Sequence, residues 1–452
     1  MKRKVLLLLM LLLLLVKSGE CFGQGLPNVY SNYINGQLNK IEYDPATGNH
    51  IQYSVISGSE NHFLLTDITN TTIDVKLLTN YNISDFEVFE DYVVFCGRTL
   101  SNEGLIGWFK IGDFFNQGQS VYIDHTLNIR GLNNLSDIEV YRDSDNKIHV
   151  AGIGYTSSQP NMYNKGFEAV GDFSSGMNYR VATFESDIYD LAITDNYAVF
   201  IGHRDNTNIL LYSFSKNNIF SSGSHPIFMF QTDYSALQIH EPIAPENLRI
   251  VHITQDSVAT LSYRLDLDPA SPLVVLSQNI VLRTYDVGIS HIQMTDAYKM
   301  TIPCLTGTIW GGIKEFKYDK AMLTYYALYK MDNVIDYVAQ IDLSSGVPPW
   351  IFNYYDAQMG NIHTTGFCLK NSPYYTVCGY DLDNYFIYYW QGEHTSAINS
   401  CVNYEPMPFA NIPIVEGKDI SQSQIVTGFI PLVFSSEERE SREDFNNDLY
   451  CE

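Results

Sequence analysis

Ile83-Ser84-Asp85-Phe86-Glu87-Val88, a short bridge, then Val93-Val94-Phe95-Cys96-Gly97: this stretch decides the fold. It sets an apolar anchor, an acid and an alternating strand before a turn and a second apolar strand that ends in glycine. Alternation with period two is the mark of a half-buried strand. The same string returns twice in register. Leu135-Ser136-Asp137-Ile138-Glu139-Val140 leads to Ile148-His149-Val150-Ala151-Gly152, and Ile188-Tyr189-Asp190-Leu191-Ala192-Ile193 leads to Ala198-Val199-Phe200-Ile201-Gly202. The anchors are spaced by 52 and 53 residues.

Weaker copies are expected near Leu237 (second strand Ile250 to Ile253), at Ile289-Ser290-His291-Ile292 (second strand Met300 to Cys304) and at Ile362 (second strand Tyr375 to Gly379). Between one copy and the next, two further strand-like runs recur, such as Leu105 to Ile111 and Ser120 to Asp124. Each unit therefore reads as four antiparallel strands with turns rich in Asn, Asp, Gly and Ser.

This pattern resembles the β-propeller superfamily over most of the chain. The resemblance is one of architecture: neither the Trp-Asp signature nor the Kelch double glycine is present. It implies an all-β fold of four-stranded antiparallel blades. Six copies, plus one composite blade built from N-terminal strands and a C-terminal strand at 424–434, give an expected count of seven. Six or eight stay open, because the interval from Ile289 to Ile362 has room for an insertion or another blade.

The ends read differently from the middle. Lys2, Arg3 and Lys4 precede an apolar run from Val5 to Val16, the pattern of a secretory signal peptide that ends near Gly23. Glu20 directly before Cys21 departs from a lipobox, so Cys21 is expected to leave with the leader. The domain division is thus a signal peptide at 1–23, a propeller at 24–434 and an acidic, disordered tail at 435–452. A net charge of −24 disfavours nucleic acid and anionic lipid as partners. The expected location is outside the cytoplasm: secreted, periplasmic or on the cell surface.

No local motif for catalysis stands out, and no cofactor or metal is implied. The repeated Asp85, Asp137 and Asp190 are read as structural acceptors of backbone N–H groups. Glycines 97, 152, 202 and 379 are read as sites of tight turns or close contact. His291, at the acid's register position in a degenerate copy, is the one candidate functional residue. Asp143-Ser144-Asp145-Asn146 is read as a hairpin turn, since the glycine and distal glutamate of a calcium loop are missing. Cys96 and Cys378 read as buried thiols, while Cys368 with Cys378 and Cys401 with Cys451 are possible disulfides. The 33 tyrosines suit a propeller that binds a glycan or an extracellular protein. The alternatives are a glycan-active hydrolase or lyase with its site in the central channel, and a structural component of a surface assembly.

Overall fold

The computed structural model describes residues 28–451 other than 57–59, 67–72, 79–80, 115–120, 130, 157–163, 206–207, 221–224, 232–238, 241–247, 269–270, 289, 303–310, 332–334, 345, 347, 357–359, 370–373, 382–385, 394–401, 423–424, 427–429, 432–434 and 441–447. The proposed signal peptide and the anchor expected at Leu237 lie outside the described residues. Among those described, no helix is long and apolar enough to cross a membrane.

The fold is all-β, with antiparallel sheets in a propeller-like arrangement. The three register-matched copies form three consecutive meanders. The first runs Tyr81–Phe89, Tyr92–Thr99, Gly104–Lys110 and Val121–Ile129. The second runs Asn134–Arg142, Ile148–Tyr155, Lys165–Asp172 and Gly176–Thr183, and the third Asp187–Ile193, Tyr197–Asp205, Asn208–Ser215 and His225–Gln231. A fourth sheet carries Leu248–His252, Ser257–Asp268, Ser271–Val287 and Ile292–Ile302.

The expected seven separate four-stranded blades are not what the hydrogen bonds draw: the described residues form five sheets, and one has thirteen strands. Two joins produce it. Strand Asn28–Tyr43 pairs through its first residues with Phe386–Glu393 and through its last with His50–Ile56. Two residue pairs, Tyr355 with Asn361 and Asp356 with Gly360, link Trp350–Asp356 to Gly360–Leu369.

Other expectations shift as well. Leu248–His252 does not form a hairpin with the short strand Ile239–His240 before it; both pair with Ser257–Asp268. Residues 292–302 form one continuous strand, so no two-strand copy begins at His291. The long interval instead holds the hairpin Gly311–Asp319 with Thr324–Met331. The composite region does join the two ends of the chain, but through Asn28–Tyr43. Ile425–Val426 and Ile430–Pro431 pair elsewhere, with Gly176–Thr183. Within the stretch expected to be a disordered tail, Ser435–Glu440 pairs with Val121–Ile129 and Asp448–Cys451 with Asn28–Tyr43. Strand pairing is a main-chain bond, and a charged sequence can satisfy it at a sheet edge.

The cores lie between neighbouring sheets. Cys96, Ile106 and Trp108 pack with Ile138, Val150 and Phe167. The register position of Cys96 is filled in the next copy by Ala151, which packs with Ile188, Phe200 and Leu210 in a second cluster. Glycine is required where strands approach closely. A Cβ on Gly97 would collide with the Asn82 carbonyl oxygen, and one on Gly202 with that of Asp187. These glycines permit close contact inside the hairpin and do not make its turn.

Candidate functional site

A cavity of about 800 Å³ opens at the centre, lined by residues of Asn28–Tyr43, Tyr81–Phe89, Asn134–Arg142, Asp187–Ile193, Leu248–His252, Gly311–Asp319 and Gly360–Leu369. Six of these strands carry a register shift against their hairpin partner at an equivalent place, as between Ile83 and Asp85, Ile188 and Asp190, and Ile313 and Glu315. A bulge re-aims the side chains that follow it. The residues just after the shift include Lys40, Asp85, Asp190 and Glu315, and Asp137 occupies the matching position. Two residues farther on, alternation brings Glu42, Glu87, Glu139 and Lys317 to the same face. All nine of these charged side chains line the one cavity.

The carboxylates meet backbone donors of the next inner strand. Asp85 Oδ2 accepts from the Ile138 N–H at 3.1 Å, and Glu87 Oε2 from the Val140 N–H at 2.6 Å. Asp190 Oδ2 accepts from Ile250 at 2.7 Å, and Glu315 Oε2 from Phe367 at 2.9 Å. An inner strand has one edge facing the channel, and its N–H groups need partners when water is scarce. Asp85 and Asp190 accept backbone N–H groups, as the repeat leads one to expect, each from the unit after it; Asp190 also accepts from the adjacent Leu191 N–H at 2.9 Å, and Asp137 bonds instead to its two neighbouring aspartates.

Cations complete one side of the wall. Lys40 Nζ lies 2.5 Å from Asp85 Oδ1 and 3.6 Å from Glu42, while Lys317 Nζ lies 2.6 Å from Glu42 Oε1. Burial acts to raise the Asp85 carboxyl, but the Lys40 charge and the hydrogen bonds it receives outweigh burial and hold it below the usual range. Burial, with the charges of Asp190 and Asp85, pushes Asp137 well up, and Asp137 hydrogen-bonds to both of them. Burial also pushes Glu139 well up, helped by the charge of Glu87. Glu87 is raised to about 8 by burial against the pull of Lys40, and Glu315 to about 7 by burial against Lys317. Burial thus favours the protonated, donating form of Asp137 and Glu139, while Lys40 favours the accepting carboxylate of Asp85. Tyr189, Phe316 and Tyr318 add aromatic surface.

His291 does not belong to this site. It is exposed in the turn between Ser271–Val287 and Ile292–Ile302, where its carbonyl accepts from the Gly288 N–H at 2.8 Å. Cys368 and Cys378 are buried free thiols, as is Cys96, and the Cys368–Cys378 bridge is not formed. In the hairpin Cys368 stands opposite Thr376 and Cys378 opposite Gly366, so the two are out of register. Cys401 lies outside the described residues, and the side chain of Cys451 is not described. Among the described residues, no group of three or more His, Cys, Asp or Glu could hold a metal ion.

Sequence reasoning missed Lys40, Glu42, Glu87, Glu139, Glu315 and Lys317. Glu87 and Glu139 are visible as second acids two residues after Asp85 and Asp137, hence on the same strand face. Ile313-Lys314-Glu315-Phe316-Lys317 repeats the anchor-and-acid string with charges changed. The turn at Asp143 is as expected: its Oδ1 accepts from the Asp145 and Lys147 N–H groups at 2.9 and 2.8 Å. Its other oxygen lies 3.0 Å from His149 Nε2, whose Nδ1 lies 3.0 Å from Glu168. Arg180 binds Glu168 and reaches the Phe220 carbonyl, which clasps two neighbouring sheets together. No protein-family model matches the chain, and no curated protein matches its sequence.

Proposed function

We propose that this chain is an exported binding propeller whose central channel receives a hydroxyl-rich ligand, a glycan or a glycan-bearing protein. The observation that carries this reading is the polar wall itself. Asp85, Glu87, Asp190 and Glu315 are each committed to a main-chain N–H of the neighbouring inner strand. Acids held in this way are fixed parts of a preorganised surface, which suits binding better than proton transfer. A sugar hydroxyl both donates and accepts, matching a wall that offers both roles, and the half-buried Tyr318 offers a ring for stacking.

Seven repeat units are inferred for the ring, the thirteen-stranded sheet counting as three. The support is that seven strands line the cavity. Export rests on the basic start and apolar run at residues 2–16. A mature chain beginning near Gln24 in the extracytoplasmic fraction is the expected result, and a retained Met1 would count against export.

The test of binding is a glycan array followed by calorimetry on the hits. Saturable binding should appear in the full mature chain and weaken about tenfold or more in Tyr318→Ala and Glu139→Ala, the loss of a well-placed contact being worth about 1.4 kcal/mol. Release of shortened glycan products during the assay would replace this reading with that of a hydrolase or lyase.

A further inference from the structure

Seven described strands of segment 402–451 lie against one sheet after another. Val402–Pro406 pairs with Trp350–Asp356, Phe409–Asn411 with Ile292–Ile302, and Lys418–Gln422 with His225–Gln231. Ile425–Val426 and Ile430–Pro431 then pair with Gly176–Thr183, Ser435–Glu440 with Val121–Ile129, and Asp448–Cys451 with Asn28–Tyr43. The partners descend steadily in chain position. One pass of the C-terminal segment therefore runs backward round the ring and adds a strand at the outside of one sheet after another.

Its attachment goes beyond main-chain pairing. Met407 is fully buried in the cluster that holds Tyr263 and Ala327, and its N–H donates to the Pro349 carbonyl at 2.6 Å. Ile412 and Val415 pack on the next cluster, and Ile420 on the one after it. Gly417 passes so close to Phe230 that a Cβ there would stand 2.7 Å from the ring.

In two of these pairings the sequences on the two sides differ in kind. HPIFMFQ, aromatic and apolar, is covered by KDISQ, and VYIDHTLNI, with a single charge, is covered by SSEERE; both covering strands are short and charged. Short, charged edge strands resist pairing with another chain, whereas bare apolar edges invite it.

We propose that segment 402–451 is a strap that shields the outer sheet edges from edge-to-edge pairing with second copies of this chain. The edges it covers are β-strand acceptor sites, and a second copy is the partner they fit once the strap is lifted.

The test uses the full mature chain. In Ile420→Pro, a proline enters a strand that pairs with Ile227 and cannot donate to the ladder. Light scattering after size exclusion should show a monomer for the wild type and an apparent mass at least doubled, rising with concentration, for the variant. Hydrogen exchange should show His225–Gln231 losing protection while Asn208–Ser215 keeps it. A variant that loses that protection yet stays monomeric overturns the proposal, as does a wild type that already associates through these edges. Should Ile420→Pro fail to fold, the triple variant Glu437→Val, Glu438→Val and Glu440→Val decides. It keeps the strap's backbone but removes the three acids of its Ser435–Glu440 strand, and it should self-associate; a monomer would overturn the proposal.

Discussion

The inner and outer rims of these sheets solve one problem in two ways. Each rim ends in a strand with an unpaired edge. At the inner rim, side chains from the preceding unit reach across: Glu87 to the Val140 N–H, Asp190 to that of Ile250. At the outer rim, a strand of main chain covers the edge instead, as Lys418–Gln422 does for His225–Gln231. Side-chain caps satisfy individual donors and leave a cavity of about 800 Å³ between them. Strand pairing covers the edge it meets and leaves no room for a ligand there; among the described residues Ile73–Leu78 alone of the last meander strands has no such cover. The contrast teaches that the centre is kept open and most of the circumference covered.

That contrast can be broken most severely at Lys40. Lys40→Met leaves Asp85 in the channel wall without its cation. Breaking a buried pair costs about 3–5 kcal/mol; since a fifth of the Lys40 side chain is exposed, about 3 kcal/mol is expected. Urea denaturation measures it, and a cost below about 1 kcal/mol would show that the pair is effectively solvated.

A second variant sharpens the electrostatic side of the comparison. Glu87 has a folded-state value of about 8, raised from 4.5. The folded chain therefore binds the proton more tightly, and the associated stability is full below the unfolded value and lost as pH rises through about 8. Glu87→Gln keeps an acceptor for Val140 but cannot ionise. It should gain about 1–2 kcal/mol over the wild type at about pH 8 and show no such gain near pH 4.5, because neighbouring acids absorb part of the shift. Parallel Tm–pH curves for the two proteins would remove Glu87 from the titrating wall.

The outer rim should answer weakly to the loss of one side chain. Lys418 is exposed in the strap, and its strand is held by main-chain bonds. Lys418→Ala is expected to change stability by about 0.5 kcal/mol or less. A thermal melt that moved as far as that of Lys40→Met would abolish the distinction between the rims.

Where the repeat is regular, the residues display both fold and site. Asp85, Asp137 and Asp190 can be placed at equivalent positions because the apolar anchors keep their spacing. The repeat at Ile313 is hidden because Glu315 and Lys317 replace the Asp and Glu of the earlier copies, and charge reversal erases a pattern read from residue type. His291 misleads for the complementary reason: Ile289-Ser290-His291-Ile292 imitates the string, but Ser290 and His291 lie in the turn before Ile292–Ile302. The ion pairs of Lys40 and Lys317 join residues far apart in the chain, and no local spacing encodes them. The end of the strap has the composition of a disordered acidic tail, because the bonds it makes belong to the backbone and leave no mark on residue type.

Strand Asn28–Tyr43 bears on the order in which the protein assembles. Its first residues bond to Phe386–Glu393, so the earliest described strand must wait for some of the last residues to be made. Contacts this distant carry a loop-closure cost and slow folding. The consecutive hairpins from Tyr81 to Gln231 need no such delay. A nascent chain can therefore build its middle first, and the ring is completed only after residue 393 has been delivered to the same compartment as residue 28.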